Sequence, residues 1–190
     1  KVYGHTANFN SDFSKLIMIG GITYTQTGDA KDFNLDIYTY KPQVNTFSGV
    51  AYFCPSSSFA FHTAIYPWNS TYLYLFGGIY DNLRTPLIQS TVYMYDMNRN
   101  AWPQPCIVTT SGTVPSPRFM HSAVLSDETA NNRGRRMWVF GGSTTISGVD
   151  PSKPVDELYA LDLTSFKWSS ISQQNQPSAT AGAIAAADAF

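Results

Sequence analysis

Three histidines are the first residues in this chain whose type suggests chemistry. His5, His62 and His121 are the full complement, and a three-histidine set is a familiar arrangement for zinc or copper. Carboxylates offer a second option, since Asp29, Asp32, Asp81 and Asp150 lie in polar stretches where a pair can serve acid–base work. Aspartate in such stretches more often closes a turn. Cys54 and Cys106 are the only cysteines; a disulfide and two buried thiols are both open to them. Arg133-Gly134-Arg135-Arg136 is the one basic cluster. It reads as a solvated turn, with contact to an anionic partner as the alternative. Asn69-Ser70-Thr71 is an N-glycosylation sequon.

The spacing of the histidines speaks against a shared metal ion. They lie 57 and then 59 residues apart, in Gly4-His5-Thr6-Ala7, Phe61-His62-Thr63-Ala64 and Met120-His121-Ser122-Ala123. Each is followed by an apolar run ending in a glycine pair: Leu16–Ile19 before Gly20 and Gly21, Leu73–Phe76 before Gly77 and Gly78, Met137–Phe140 before Gly141 and Gly142. Tyr38, Tyr93 and Tyr159 then recur, followed by a large aromatic: Phe47, Trp102 and Trp168. Four features in one order, three times over, define an internal repeat. Equivalent histidines then sit on different repeats and do not converge, so no metal and no cofactor are expected.

The elements that carry these residues read as strands. The apolar runs are about five residues long, rich in aromatic and aliphatic side chains, and stopped by glycine. Tyr93-Met94-Tyr95-Asp96 turns through Asn98-Arg99-Asn100 into Trp102, which reads as a hairpin between a third and a fourth strand. Each repeat is therefore expected to hold four short antiparallel strands. The stretches after the glycine pairs (22–33, 79–89 and 143–155) are rich in Asp, Asn, Thr, Gly and Pro, and read as loops.

Composition sets the outer bounds. Charged residues make up 13% and aromatics 15% of 190 residues, with a formal net charge of -1. A chain this aromatic has a core to bury, which excludes global disorder. Without clustered Lys and Arg it is no general binder of nucleic acid or anionic membranes. No apolar run approaches the ~20 residues needed to span a bilayer. No signal peptide is visible, and Lys1 starts inside the first motif, so the chain reads as a mature or trimmed segment.

A hydrophobic run, Gly-Gly, a spaced Tyr and a spaced Trp together resemble the kelch repeat, one blade of a β-propeller. Pro115-Ser116-Pro117-Arg118-Phe119-Met120-His121-Ser122-Ala123-Val124 resembles that family's lead-in to the innermost strand. The resemblance implies an all-β fold of kelch-type propeller blades, each of four antiparallel strands. Three are visible, at about 1–57, 58–115 and 116–175, with 176–190 a linker or the first strand of a further blade. Propellers carry roughly four to eight blades, so the chain is expected to be part of a larger one, completed by blades of the same or another chain. His5, His62, His121, the three glycine pairs, Tyr38, Tyr93, Tyr159, Trp102 and Trp168 become structural motif positions. Phe47 and Lys41 depart from the family's Trp and Asp.

The resemblance also shapes the functional expectation, which is a non-enzymatic binding module presenting loops to a protein or glycan partner. Arg118 at the lead-in, with Tyr24, Tyr80, Asn82 and Arg84 after the glycine pairs, would be the binding residues; Arg118 as a structural residue is the alternative. A sugar-active enzyme with catalytic residues outside this segment, and a cytosolic adaptor, are the competing readings. Galactose oxidase, a kelch-like enzyme, needs a Tyr-His pair, a further His and a Tyr crosslinked to Cys, and no Tyr-His dipeptide occurs here. Sialidase-type Ser-x-Asp-x-Gly-x-Thr-Trp boxes are absent too. The sequon at Asn69 and the low charge favour a secreted or cell-surface protein over a cytoplasmic one.

Overall fold

A computed structural model describes residues 2–24, 31–33, 36–51, 54, 59–68, 70–82, 85–127, 135–147, 150–172, 174–175 and 177–182. Among these, strands dominate. The first repeat contains β1 (Val2–Tyr3), β2 (Thr6–Phe9), β3 (Leu16–Ile19), β4 (Ile22–Tyr24), β5 (Lys31–Phe33), β6 (Asp36–Lys41) and β7 (Thr46–Ala51). The second contains β8 (Phe59–Ala60), β9 (Thr63–Ile65), β10 (Tyr72–Phe76), β11 (Ile79–Asn82), β12 (Thr85–Ile88) and β13 (Val92–Asp96). The third contains β14 (Ser111–Gly112), β15 (Ser122–Asp127), β16 (Arg135–Phe140), β17 (Ile146–Ser147), β18 (Asp150–Pro151), β19 (Leu158–Asp162) and β20 (Lys167–Ile171).

Each repeat forms one blade. Blade 1 is the antiparallel sheet β2-β3-β6-β7. Blade 2 is β9-β10-β13, extended on the far side of β13 by residues 106–108, where Met94 N–H donates to the Cys106 carbonyl and Val108 N–H to the Val92 carbonyl, both at 2.9 Å. The chain does turn after Asp96, whose carboxylate accepts from the Asn98 and Arg99 N–H groups. Asp96 and Ala101 close the hairpin with reciprocal backbone bonds of 2.9 and 3.3 Å, and the outer edge resumes at residues 106–108, beyond Trp102. Blade 3 is β15-β16-β19-β20 with β14 added parallel to β20. The segment joining blades 2 and 3 thereby covers an edge that would otherwise invite foreign strands.

Strand alternation explains how the blades stack. In β10, Leu73 and Leu75 face blade 1 and pack with Ile17, Ile19 and Ile37, while Tyr74 and Phe76 face blade 3 and pack with Met137, Val139, Tyr159 and Trp168. Central strands are buried on both faces, so they read as continuous apolar runs. The aromatic excess belongs here, with Phe76, Tyr95 and Trp168 fully buried. Phe47 does not follow Trp168: it is 66% exposed and rests on Tyr40 at the edge of blade 1.

Two series of backbone hydrogen bonds stitch the innermost strands together. Gly4, Phe61 and Met120 each stand two residues before a repeat's first strand, and these three and Gly182 have φ between +53° and +77°. Phe61 N–H donates to the Gly4 carbonyl at 2.7 Å, Met120 to Phe61 at 3.0 Å, and Gly182 to Met120 at 2.7 Å. The left-handed conformation turns each N–H towards the neighbouring blade. In the second series, Gly21, Gly78 and Gly142 donate to the carbonyls of Phe59, Arg118 and Thr180 at 2.9, 2.8 and 2.8 Å. Thr180 and Gly182 thus take the backbone positions that Phe59 and Phe61 take in blade 2.

The stretches after the glycine pairs correct the sequence reading. They fold as antiparallel hairpins, β4–β5, β11–β12 and β17–β18. The first two are joined by their own repeat's lead-in, β1 and β8. Turn-forming composition hid them, because these strands take their order from pairing with the lead-in and not from an apolar pattern.

Candidate functional site

Beneath the three hairpins lies an apolar layer. Ile22, Ala60, Ile79 and Phe119 are buried in it, and Tyr3, Phe33, Phe61, Ile88, Met120 and Ile146 pack against them. Tyr3, Phe61 and Phe119 meet edge to face, with centroids 5.6 and 6.3 Å apart. This layer fixes the hairpins of adjacent blades into one face. Of the nominated binding residues, Tyr80 lies on β11 and is half-buried, its ring against the core shared by blades 1 and 2. Tyr24 and Asn82 end β4 and β11, placing their backbones on the same face. Arg84 and Asn69 lie outside the described residues, as do Asp29 and Arg133. Leu87 on β12 is exposed beside Tyr80, its direct cross-strand partner.

Arg118 is buried, its side chain 0% exposed. Nε donates to the Ser116 carbonyl at 3.1 Å, Nη1 to the Gly141 carbonyl at 3.0 Å and Nη2 to Glu157 at 2.6 Å. The guanidinium also lies 5.1 Å from the centroid of Tyr159. Each guanidinium nitrogen is engaged inside the fold, which fits the structural alternative for this residue. Its place in the lead-in does not by itself reveal that the side chain turns onto Gly141, Glu157 and Tyr159 of its own blade.

The histidines couple neighbouring blades. His62 Nε2 is 2.8 Å from the hydroxyl of Thr6, and His121 Nε2 is 2.8 Å from that of Thr63. Each histidine therefore meets the residue that follows the previous repeat's histidine. Burial, reinforced by nearby His5 for His62 and by Arg118 and His62 for His121, depresses both to about 3. In the unfolded chain these groups bind protons near pH 6.5, which the folded state refuses. Their stabilising contribution is present above about pH 6.5 and is lost as pH falls from there towards 3. The melting temperature is therefore expected to drop between pH 7 and 4.5, above the range where carboxylates titrate. Replacing both histidines with Gln should flatten that slope, and an equally steep profile in the double variant would refute the assignment.

Gln89 and Glu157 escaped the sequence reading. Gln89 is buried, donates to the Gly77 carbonyl at 3.0 Å and accepts from the Tyr93 hydroxyl at 2.7 Å. Glu157 performs the matching service for Arg118. Their sequence signal is faint: a polar residue two or four positions before the repeat's tyrosine. Cys54 and Cys106 are joined as a disulfide, Cα–Cα 6.2 Å, linking the segment after blade 1 to the outer edge of blade 2. Among the described residues no group of three metal-ligating side chains converges.

Blades of four antiparallel strands, joined at glycine pairs and packed through tyrosine and tryptophan, define a kelch-type β-propeller. The chain belongs to the KLHDC2/KLHL20/DRC7 Kelch-repeats domain family, whose sequence model matches residues 61–189. A solved structure, that of YjhT, superposes with a TM-score of 0.68 at 16% identity, covering 94% of this chain and 54% of that one. At that identity the likeness is one of fold. The chain spans about half the length of YjhT.

Proposed function

We propose that this chain is the binding segment of a larger kelch propeller, and that it docks a protein partner without catalysing a reaction. The partner contacts the face made by β4–β5, β11–β12 and β17–β18. The observation that carries this reading is the apolar layer under those hairpins, which gathers the paired strands of three blades, aromatic-bearing in blades 1 and 2, into one surface. A preorganised face lowers the entropy lost on docking, and tyrosine is among the residues that most often anchor interfaces. A glycan is the second ligand class for the same face, and further blades, from this or another chain, would complete the propeller.

The test is site-specific photocrosslinking. A crosslinker at Leu87 is expected to capture one defined partner, and one at Phe47, on the outer edge, is not. With that partner in hand, Tyr80→Ala should weaken affinity about tenfold or more. Capture at Phe47 alone, or binding only to a glycan array, would overturn the protein-docking reading. We also propose an oxidising, extracellular setting, which the Cys54–Cys106 link supports. Protein isolated from its source and alkylated before reduction should then show no free thiol.

A further inference from the structure

We propose that a cleft between blades 1 and 2, at the strand ends opposite the hairpins, binds a carboxylate side chain from an acidic segment of a protein partner. The argument comes from one cross-strand pair compared across the three repeats. In blade 3, Arg136 on β16 stands opposite Asp162 on β19, and in blade 2 Tyr72 on β10 stands opposite Asp96 on β13. Each of these aspartates closes its turn by accepting from two backbone N–H groups at 2.8 to 2.9 Å. The equivalent residues of blade 1 are Lys15 and Lys41. The ladder between β3 and β6 runs from Ile19 opposite Ile37 to Leu16 opposite Tyr40, and Lys15 opposite Lys41 is the next step of that register. Blade 1 thus opposes two ammonium groups where its neighbours carry a carboxylate. Like charges directly opposite destabilise a sheet.

Strand alternation turns both lysines towards blade 2. Ile17 and Ile19 on β3 and Ile37 on β6 pack with Leu73 and Leu75, and Lys15 and Lys41 share their side of the sheet. Lys15 Nζ donates to the Met97 carbonyl at 2.7 Å and to Asn100 Oδ1 at 3.0 Å, both at the turn after β13. These bonds fix one ammonium at the blade boundary and leave its third proton. Partial burial, reinforced by the Lys41 charge, holds the Lys15 ammonium below the usual lysine range. The acids that act on Lys15 are Asp12 and Asp96, and both are engaged in their own turns. Among the described residues, neither lysine forms an ion pair. Around the pair lies a cleft of about 370 Å³, lined by Ser14, Lys15, Lys41, Gln43 and Asn100. Its walls come from blades 1 and 2, so both lie in this chain.

The chemistry selects a carboxylate. It is the group that blades 2 and 3 carry at this point, and its two oxygens can accept from both ammoniums at once. The Ser14 hydroxyl and the Gln43 amide add neutral donors at the wall. No arginine lines the cleft, whereas bidentate recognition of phosphate favours one. Lys41 and Gln43 are exposed, so the cleft opens to solvent. An open cleft suits a side chain presented by another protein, where an enclosed pocket suits a small molecule.

Titration of the complete protein with an acetylated and amidated Glu-Gly-Glu peptide, followed by NMR, tests this. Saturable binding that shifts the ε-methylene resonances of Lys15 and Lys41 is expected. The Gln-Gly-Gln peptide, equal in shape and uncharged, should bind about tenfold more weakly. Lys41→Gln, at an exposed position, should cost about fivefold. Lys41→Asp restores the opposed charges of blade 3, so it should abolish peptide binding and raise the melting temperature. Lys15→Met also removes the bonds to Met97 and Asn100; should it fail to fold, the two Lys41 variants still decide. Equal binding of the two peptides, undiminished binding by Lys41→Asp, tighter binding of inorganic phosphate than of the acidic peptide, or no saturable binding would each overturn the proposal.

Discussion

Gly78→Ala is expected to lower stability by about 3–4 kcal/mol, seen as a large drop in the denaturation midpoint. Gly78 has a φ of +93°, where a Cβ is strained whatever space surrounds it. Space is also lacking. The added carbon would lie 2.7 Å from the Ala60 carbonyl oxygen and 2.9 Å from the His62 Cβ. Neither atom is the tip of a flexible side chain, so relief requires backbone movement. That movement would disturb the bond from Gly78 N–H to the Arg118 carbonyl and the one from Gln89 N–H to the Gly78 carbonyl. The first of these joins blades 2 and 3. Gly49→Ala is the control, because a Cβ there meets only the Tyr38 ring at 3.4 Å. A loss below about 1 kcal/mol for Gly78→Ala would contradict the packing described for the glycine pair.

Arg118→Ala should cost about 3 kcal/mol, through the lost hydrogen bonds and the void left by a buried side chain. The three acceptors do not lose equally. The Gly141 carbonyl is buried and would be left without its side-chain donor, whereas Glu157 is 44% exposed and regains water. Glu157→Gln should accordingly cost much less, about 1 kcal/mol. Arg118→Lys should rescue little, since an ammonium cannot reach carbonyl and carboxylate in one plane while lying on Tyr159. Denaturant titration of the three variants separates these cases. Equal losses for Arg118→Ala and Glu157→Gln would mean that the ion pair, and not the buried fork, carries the stabilisation.

Much of the blade architecture is legible without coordinates because it is encoded locally. An apolar run stopped by two glycines is a strand whose end must turn at positive φ, and three copies in one order reveal the repeat. The hairpins after those glycines are not legible in the same way. Ile22-Thr23-Tyr24 and Thr85-Pro86-Leu87-Ile88 lack a clear two-residue alternation, and the first takes its order from pairing with Val2 and Tyr3 on one side and Lys31–Phe33 on the other. The outer edge of blade 2 was likewise obscure, since residues 106–108 pair with β13 across a segment whose length no turn motif announces.

The candidate site divides along the same line. The sequence by itself determined the strands, the repeat and the residues that recur at equivalent points, because these depend on short-range pattern. Tertiary structure alone decided what each of those points faces. Arg118 is buried against Gly141, Glu157 and Tyr159, whereas Phe47 lies exposed at the edge of blade 1. His62 and His121 bond to threonines 56 and 58 residues away. Exposure and partnership are properties of the neighbouring blade, and no window of sequence within one repeat contains that neighbour.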